Sequence, residues 1–313
     1  MIPGHTDAKG APARVLVVGG TGFMGSRLVH TLRTRGVDVH LTYRAAIPTG
    51  HPSLTDPGVT AVRWLGDLGT MTELLVETQP EVVILLAAQV AIDHAELDIE
   101  PLISANVHLP ITVMEAARKA GIRNFVTAGT FWEEWSEVDP SPANLYAATR
   151  SAAKQMLRYY ASSGDWSAAH LRVSDLYGPG DTRPKLFHFL RDAVLSGVPL
   201  AMSPGQQQID LVHVDDAVEA FITASRLMVG SDTPGMREYG VFANDPRTVR
   251  EVVDVYSRVI GRAVPVIWGG RAYRAREVMI PKFIPLVPGW AVTYSLEAGL
   301  LDMECGPGGL LRP

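Results

Sequence analysis

A single cysteine, Cys305, among 313 residues leaves the chain without an intrachain disulfide or a cage of thiolate ligands. A reducing compartment fits that scarcity. Lysine is also rare, present only at 9, 119, 154, 185 and 282, so most of the positive charge is arginine. The formal net charge is -5, and no stretch gathers basic residues into a footprint, which argues against a nucleic-acid partner. No segment has the high charge and low hydrophobicity of a disordered tail. Met1 to Pro12 has no apolar signal core. The apolar stretch from Ile280 to Val292 is cut by Pro281, Pro285 and Pro288, too broken to span a bilayer. His94, His188 and His213 form no HxH or HxxxH cluster, so no metal site is expected. A cytoplasmic chain is expected, long enough for one large or two modest domains.

Arg14-Val15-Leu16-Val17-Val18 is a short apolar run ended by Gly19-Gly20, the pattern of a strand buried on both faces. A helix from about Phe23 to Arg35 and a strand from Val37 to Tyr43 follow. The alternation continues with strands at 59–65, 82–87, 125–127 and 166–173. The helices between them lie at 71–77, 99–119 and 144–162. The last presents Leu145, Ala148, Ala152, Met156 and Tyr159 on one side. This succession predicts an α/β fold with a doubly wound parallel sheet, whose ligands sit at the carboxyl ends of the strands. Beyond about 175 the order changes. Helices at 185–196, 215–228 and 248–260 and a short strand at 209–212 suggest a smaller, interleaved C-terminal lobe. Asp215 is expected to cap the helix it begins, with His213 as a structural residue before it, and Gly306 to Pro313 to fray. The boundaries expected are 12–174 for the nucleotide-binding domain and 175–305 mainly for the substrate lobe, with some segments returning to the sheet.

Gly19, Gly22 and Gly25 fall between the first strand and first helix with the spacing G-x-x-G-x-x-G. Small residues let the backbone turn tightly and approach a pyrophosphate, whose charge meets the helix N-terminal amides. Thr21, Phe23 and Met24 belong to the same loop. The alternative is a turn that only packs a helix on a sheet. The second strand ends Leu41-Thr42-Tyr43-Arg44 with no nearby acid for the ribose hydroxyls of NAD. Arg44 favours the 2'-phosphate of NADP, so NADPH/NADP is expected over NAD, unless Arg44 is an ordinary surface charge. Asp67 is placed to accept from the adenine amino group, or else to cap the following helix, and Leu68 is its neighbour. Ala87, Ala88 and Gln89 follow the fourth strand and are expected along the cofactor ribose.

Thr130 follows the fifth strand, and Tyr146 precedes Arg150 by four residues. Residues i and i+4 share a helix face, so the Arg150 cation favours the ionised form of the Tyr146 phenol. Tyr146 then donates a proton to a carbonyl substrate while the Thr130 hydroxyl holds its oxygen. Thr130 as a loop residue bonding its own backbone, and Tyr146 as a helix residue with a satisfied hydroxyl, are the plain alternatives. Lys154 lies a further turn away, too far to replace Arg150. Trp132, Glu133, Glu134 and Trp135 offer indole faces and carboxylates to a sugar, although core packing or a surface loop explains them equally well.

These motifs together resemble the extended short-chain dehydrogenase/reductase family. The resemblance runs from Gly19-Gly20-Thr21-Gly22-Phe23-Met24-Gly25 through Asp67 and Tyr146 to Leu176-Tyr177-Gly178-Pro179-Gly180 and Leu211-Val212-His213-Val214-Asp215-Asp216. It implies an N-terminal Rossmann domain for NAD or NADP and a C-terminal lobe for a nucleoside-diphosphate sugar. Thr130 and Tyr146 match the family's catalytic Ser/Thr and Tyr, whereas Arg150 stands where the family has Lys. Gly129-Thr130-Phe131-Trp132, Asn144 to Thr149 and Tyr177 to Leu186 resemble 4-reductases of nucleoside-diphosphate 4-keto-6-deoxyhexoses, of the CDP-abequose synthase type.

Two departures narrow the reading. Phe131 and Trp132 stand where the family's dehydratases carry an Asp-Glu pair for water elimination. Ile209 replaces the Arg by which many epimerases grip the diphosphate, so either diphosphate binding comes from elsewhere, with Arg183, Lys185, Arg271 and Arg274 as candidates, or the substrate is unusual. The resemblance therefore implies an NADPH-dependent reduction of a C4 ketone, with Trp132, Glu133, Asp175, Arg183 and Lys185 facing the substrate. It also implies a homodimer through a helix pair that includes the Tyr146 helix. An epimerase, or a nucleotide-binding regulator that has lost its chemistry, are the alternatives.

Overall fold

Val15 to Val18 are buried to the last atom or nearly so, as a strand covered on both faces must be. The computed structural model describes residues 12–43, 51–136 and 141–311. Its strands are β1 Arg14–Val18, β2 Asp38–Tyr43, β3 Val59–Arg63, β4 Val82–Leu85, β5 Asn124–Thr130, β6 Ser167–Val173, β7 Asp175–Tyr177, β8 Leu200–Met202, β9 Gln208–Ile209, β10 Leu211–His213, β11 Gly235–Val241, β12 Arg247–Thr248 and β13 Val266–Trp268. The helices are α1 Phe23–Thr34, α2 Pro52–Thr55, α3 Leu68–Thr78, α4 Ile99–Ile103, α5 Leu109–Ala120, α6 Leu145–Ser163, α7 Leu186–Ser196, α8 Val214–Val229, α9 Val249–Ile260 and α10 Leu296–Cys305. Among the described residues, no helix is long and apolar enough to cross a membrane.

Seven strands form one sheet in the order β11-β6-β5-β4-β1-β2-β3, every neighbouring pair parallel. Alternate side chains of β1 enter opposite cores. Val15 and Val17 meet Leu28, Val29 and Leu32 of α1 and Ala217, Val218 and Phe221 of α8. Leu16 and Val18 meet Met71 and Leu75 of α3, Val113 and Met114 of α5 and Leu157 and Tyr160 of α6. A sheet wound on both faces in this way is Rossmann-like, and its order reverses between β1 and β4, where such sheets bind ligands. A third core, around Phe187, Leu190, Val252, Tyr256, Leu300 and Met303, belongs to α7, α9 and α10.

Several local expectations change. The stretch 209–212 is two strands, β9 pairing with β12 and β10 with β7, interrupted where the buried Asp210 carboxylate accepts from the amides of Ala243 and Asp245. Among the elements not anticipated are β11, which returns from the second half of the chain to the sheet edge, and α10. The cap of α8 is His213, whose Nδ1 accepts from the Asp215 amide, while Asp215 itself pairs with Arg27. The buried face of α6 runs through Ala147, Arg150, Ala153, Lys154, Leu157 and Ala161, one residue out of register from the apolar stripe, and Tyr159 is 64% exposed. Residues 306–311 are tied down, because Leu310 and Leu311 donate to the Glu304 carboxylate and carbonyl.

Candidate active site

β1 runs directly into the glycine loop. Gly19 has a φ of +93°, and a Cβ there would meet the Ala87 amide nitrogen at 2.6 Å, so a side chain would push β1 away from the end of β4. At Gly25 a Cβ would lie 2.2 Å from the Gly19 carbonyl oxygen, so α1 can start against the loop only as glycine. Gly22 caps α1 without a side chain, which leaves the first-turn amides unclaimed by any capping group. An uncapped helix N-terminus beside such close backbone approaches fits a dinucleotide pyrophosphate. Thr21 precedes the cap of α1, and Phe23 and Met24 begin the helix. Arg44 lies outside the described residues. Asp67 is exposed, and it accepts from the Thr70 amide at 2.7 Å as the cap of α3, which draws its carboxyl below the usual range. Leu68 begins that helix. Ala87 is held to β1 by its amide, which donates to the Val18 carbonyl at 2.9 Å, and Ala88 and Gln89 are exposed beyond it.

Arg150 is only 2% exposed, and its guanidinium donates to the carbonyls of Ala87 and Ala128. It therefore lies beneath the ends of β4 and β5, and among the described residues no carboxylate pairs with it. The Tyr146 phenol is pushed above its ordinary value by burial, and Arg150 acts in the opposite sense. The carboxylates of Glu133 and Asp175 raise it further. The phenol is thus protonated at neutral pH, as a proton donor must be. Thr130 is buried, and its Oγ1 accepts from the Trp132 amide at 3.4 Å, so its own hydroxyl proton remains to be donated.

Glu133 does not line the cavity that opens beside this site. Its side chain is fully buried behind β5, where Oε1 accepts from the Thr130 amide at 3.0 Å and from His170 Nε2 at 2.9 Å. Oε2 lies 2.9 Å from Lys154 Nζ. Burial would push this carboxyl up, but the charges of His170 and Lys154 hold it far below the carboxylate range. Lys154 also pairs with Glu238 at 2.9 Å, and Arg172 joins Glu238 at 2.5 Å to Glu134 at 2.6 Å. Lys154 therefore does not stand in for Arg150. Glu133, His170 and Glu238 offer ligand atoms within 4.8 Å of one another, but the Lys154 ammonium lies between the carboxylates as their cation.

A cavity of about 360 Å³ opens beside this site and is lined by Trp132, Asp175, Arg183 and Lys185, together with Phe131, Arg191, Arg271, Arg274 and Glu277. Its size suits a small-molecule ligand. Asp175 pairs with Lys185 at 3.0 Å, and Arg183 pairs with Asp181 at 2.7 Å. The Arg183 guanidinium also stacks 4.3 Å over the Phe23 ring, joining this lobe to the glycine loop. Arg274 faces Asp93 and Glu277, and Arg191 is bound to the buried Glu304. Among the described residues, Arg271 is the lining cation without a carboxylate partner.

One supporting residue was not anticipated. Pro110 has no N–H for the carbonyl four residues back, and the helix there widens into a π turn over Ser104–His108. The buried Asn106 of that turn grips the backbone of Gln89, accepting from its amide at 2.9 Å and donating to its carbonyl at 2.8 Å. It also donates to Thr149 Oγ1, beside Arg150. Pro110 was the only sequence signal for it.

The NAD dependent epimerase/dehydratase family matches residues 15–236. CDP-abequose synthase of Yersinia pseudotuberculosis is 26% identical over 275 residues, covering 86% of this chain and 92% of that protein. UDP-glucose 4-epimerase of Mycolicibacterium smegmatis is 27% identical over 265 residues, covering 79% and 83%. The structure of MoeE5 in complex with UDP-glucose and NAD superposes with a TM-score of 0.78 at 27% identity, covering 93% of this chain and 97% of that one.

Proposed function

The chain belongs to the NAD dependent epimerase/dehydratase family, and from that premise we propose that it is an NADPH-dependent ketoreductase acting on C4 of a nucleoside-diphosphate 4-keto-6-deoxyhexose. When bound, the reduced dinucleotide supplies the hydride. The Tyr146 phenol gives its proton to the developing alkoxide, and the Thr130 hydroxyl donates to the same oxygen. Arg150, buried and bonded to backbone carbonyls, stabilises the phenolate left behind and keeps donors to spare for the cofactor ribose, since two carbonyls occupy only part of its fork. In this reading residues 12–174 carry the dinucleotide and the proton donor, and 175–305 chiefly the substrate, with Asp175, Arg183 and Lys185 at the cavity wall. Arg271 is assigned to the diphosphate in place of the arginine that Ile209 displaces.

The observation that carries this reading is the withdrawal of the carboxylates after Thr130. Glu133 and Glu134 are consumed in ion pairs, so Thr130 is followed toward the cavity by Phe131 and Trp132. A C4 ketone can be reduced there, but the acid and base pair for water elimination is missing from the positions directly after Thr130. The resemblance to CDP-abequose synthase supports the same conclusion. The NAD complex of MoeE5 favours a second reading, an NAD-dependent epimerase that regenerates its cofactor. A homodimer is part of the proposal, supported by the exposed Ile103, Ile111 and Tyr159 on the helical layer that includes α6.

The test supplies NADPH and either CDP- or dTDP-4-keto-6-deoxyglucose to the purified chain. NADPH is expected to be consumed in proportion to product. Tyr146→Phe is expected to abolish turnover while cofactor affinity is nearly unchanged. Interconversion of UDP-hexoses without NADPH consumption would establish the epimerase instead. Tight cofactor binding with no turnover on any keto sugar would make the chain a non-catalytic binder.

A further inference from the structure

The buried charges behind β5 have no part in the chemistry just described, yet their carboxylate touches the backbone of Thr130. The chain makes room for that contact. At Gly129 a Cβ would lie 2.2 Å from His170 Nε2 and 2.4 Å from Glu133 Oε1, so the imidazole and carboxylate can sit against β5 only because this residue is glycine. The Glu133 carboxylate accepts the Thr130 amide at 3.0 Å, His170 fixes the same oxygen from the sheet side, and Lys154 holds the other from α6, the helix that carries Tyr146. His170 is in turn anchored by Thr127 Oγ1 at 2.9 Å. One carboxylate thus joins the strand of Thr130 to the helix of Tyr146.

We propose that Glu133 is a positioning residue: held between His170 and Lys154, it fixes the Thr130 backbone and so sets where the Thr130 hydroxyl stands relative to the Tyr146 phenol. A capping interaction alone would need neither full burial nor a buried lysine as its counter-charge. Removing water from an ion pair is expensive, and here the pair ties α6 to the turn after β5. The lysine's origin is informative. Lys154 comes from the turn after Arg150, so the same helix face presents one cation beneath the site and another to the carboxylate that braces Thr130.

This inference rests on the assignment of Thr130 as the hydroxyl donor, and its test separates the two claims. In the full chain, Glu133→Gln, Thr130→Ala and the double variant are compared for turnover with NADPH and CDP-4-keto-6-deoxyglucose. Hydrogen exchange is followed in the peptide that contains Thr130. Glu133→Gln is expected to lower kcat about 10-fold, less than the roughly 100- to 1000-fold cost of deleting such a donor outright, with the KM for NADPH unchanged. In the Thr130→Ala background the same substitution is expected to cost nothing further. Exchange at the Thr130 amide should accelerate in Glu133→Gln whether or not turnover is measurable. Glu133→Asp keeps the charge and shortens the reach, so it should fold even if the glutamine variant does not, and show the same loss.

An equal fall in kcat in both backgrounds would reduce Glu133 to general stability and overturn the proposal. Unaltered exchange at Thr130 in the glutamine and aspartate variants would also overturn it. Full turnover by Thr130→Ala would instead remove Thr130 from the chemistry, and the exchange measurement would still decide whether Glu133 holds its backbone.

Discussion

Two strands of one sheet, β1 and β5, with β4 between them, end in opposite ways. At the end of β1 the chain strips its side chains away: Gly19, Gly22 and Gly25 bring backbone to backbone and leave helix amides open. At the end of β5 it does the reverse, placing Thr130 above the packed side chains of Glu133, His170, Lys154, Glu238 and Arg172. The first arrangement suits a ligand that brings its own charge and needs only amides and space. The second suits a small hydroxyl that must stand in one place. A cofactor site can be built by omission, whereas a site that orients a donor has to be braced.

That contrast predicts where substitution hurts most. Lys154→Met leaves the Glu133 carboxylate buried without its cation, a change that typically costs about 3–5 kcal/mol. The loss should appear as a lower melting temperature in a thermal scan. The pH dependence has a definite sign. The folded-state values of Glu133, Glu134 and Glu238 all lie below the ordinary range, so burial opposes but the paired cations prevail. Their contribution is complete above the unfolded glutamate value of about 4.3 and is lost as pH falls through the depressed folded values. Lys154→Met should therefore also move the acid-unfolding midpoint upward. An unchanged melt and midpoint would mean that the charges behind β5 brace nothing.

Gly25→Val tests the other strand end. The new side chain must occupy space 2.2 Å from the Gly19 carbonyl oxygen, where only backbone can yield. The loop must open, and dinucleotide affinity is expected to fall ~100-fold, about 2.7 kcal/mol, with less effect on the melt of the free protein than Lys154→Met has. Titration of cofactor fluorescence measures it. Equal damage to the free protein's melt would erase the distinction between a site built by omission and one built by bracing.

The same contrast explains what could be read before the fold was known. A strand, three glycines at fixed spacing and a helix leave a local signature, because the constraint lies between neighbours in the chain. Tyr146 and Arg150 were legible for the same reason, one helical turn apart. The brace was not, since its members come from 133, 154, 170 and 238 and meet only through the sheet. Glu133 looked like a sugar ligand because a carboxylate after Thr130 says nothing of which way a 3-10 turn will point it. The face of α6 was misplaced by one residue because its buried stripe contains Arg150 and Lys154, which an apolar pattern cannot include. β11 escaped notice because Met-Arg-Glu-Tyr lacks an apolar run. Its pairing with β6 is specified by the sheet edge, and its Glu238 by the cations opposite.

The smallest expected effect lies between the two strand ends. Arg150 donates to the carbonyl of Ala87, beside the glycine loop, and to that of Ala128, beside Thr130, so it belongs to both. Its charge is the principal influence holding the Tyr146 phenol down against burial and the neighbouring carboxylates. Arg150→Met removes that cation and should move the alkaline limb of the turnover profile, already above the ordinary tyrosine value of about 10, to still higher pH. Arg150→Lys retains the charge but cannot span two carbonyls with a planar fork. It should therefore leave the limb where it is while weakening cofactor binding. If lysine instead raised turnover with no loss of affinity, the guanidinium would have no bridging role. If methionine left the limb in place, the phenol would be governed by something other than the cation one turn below it.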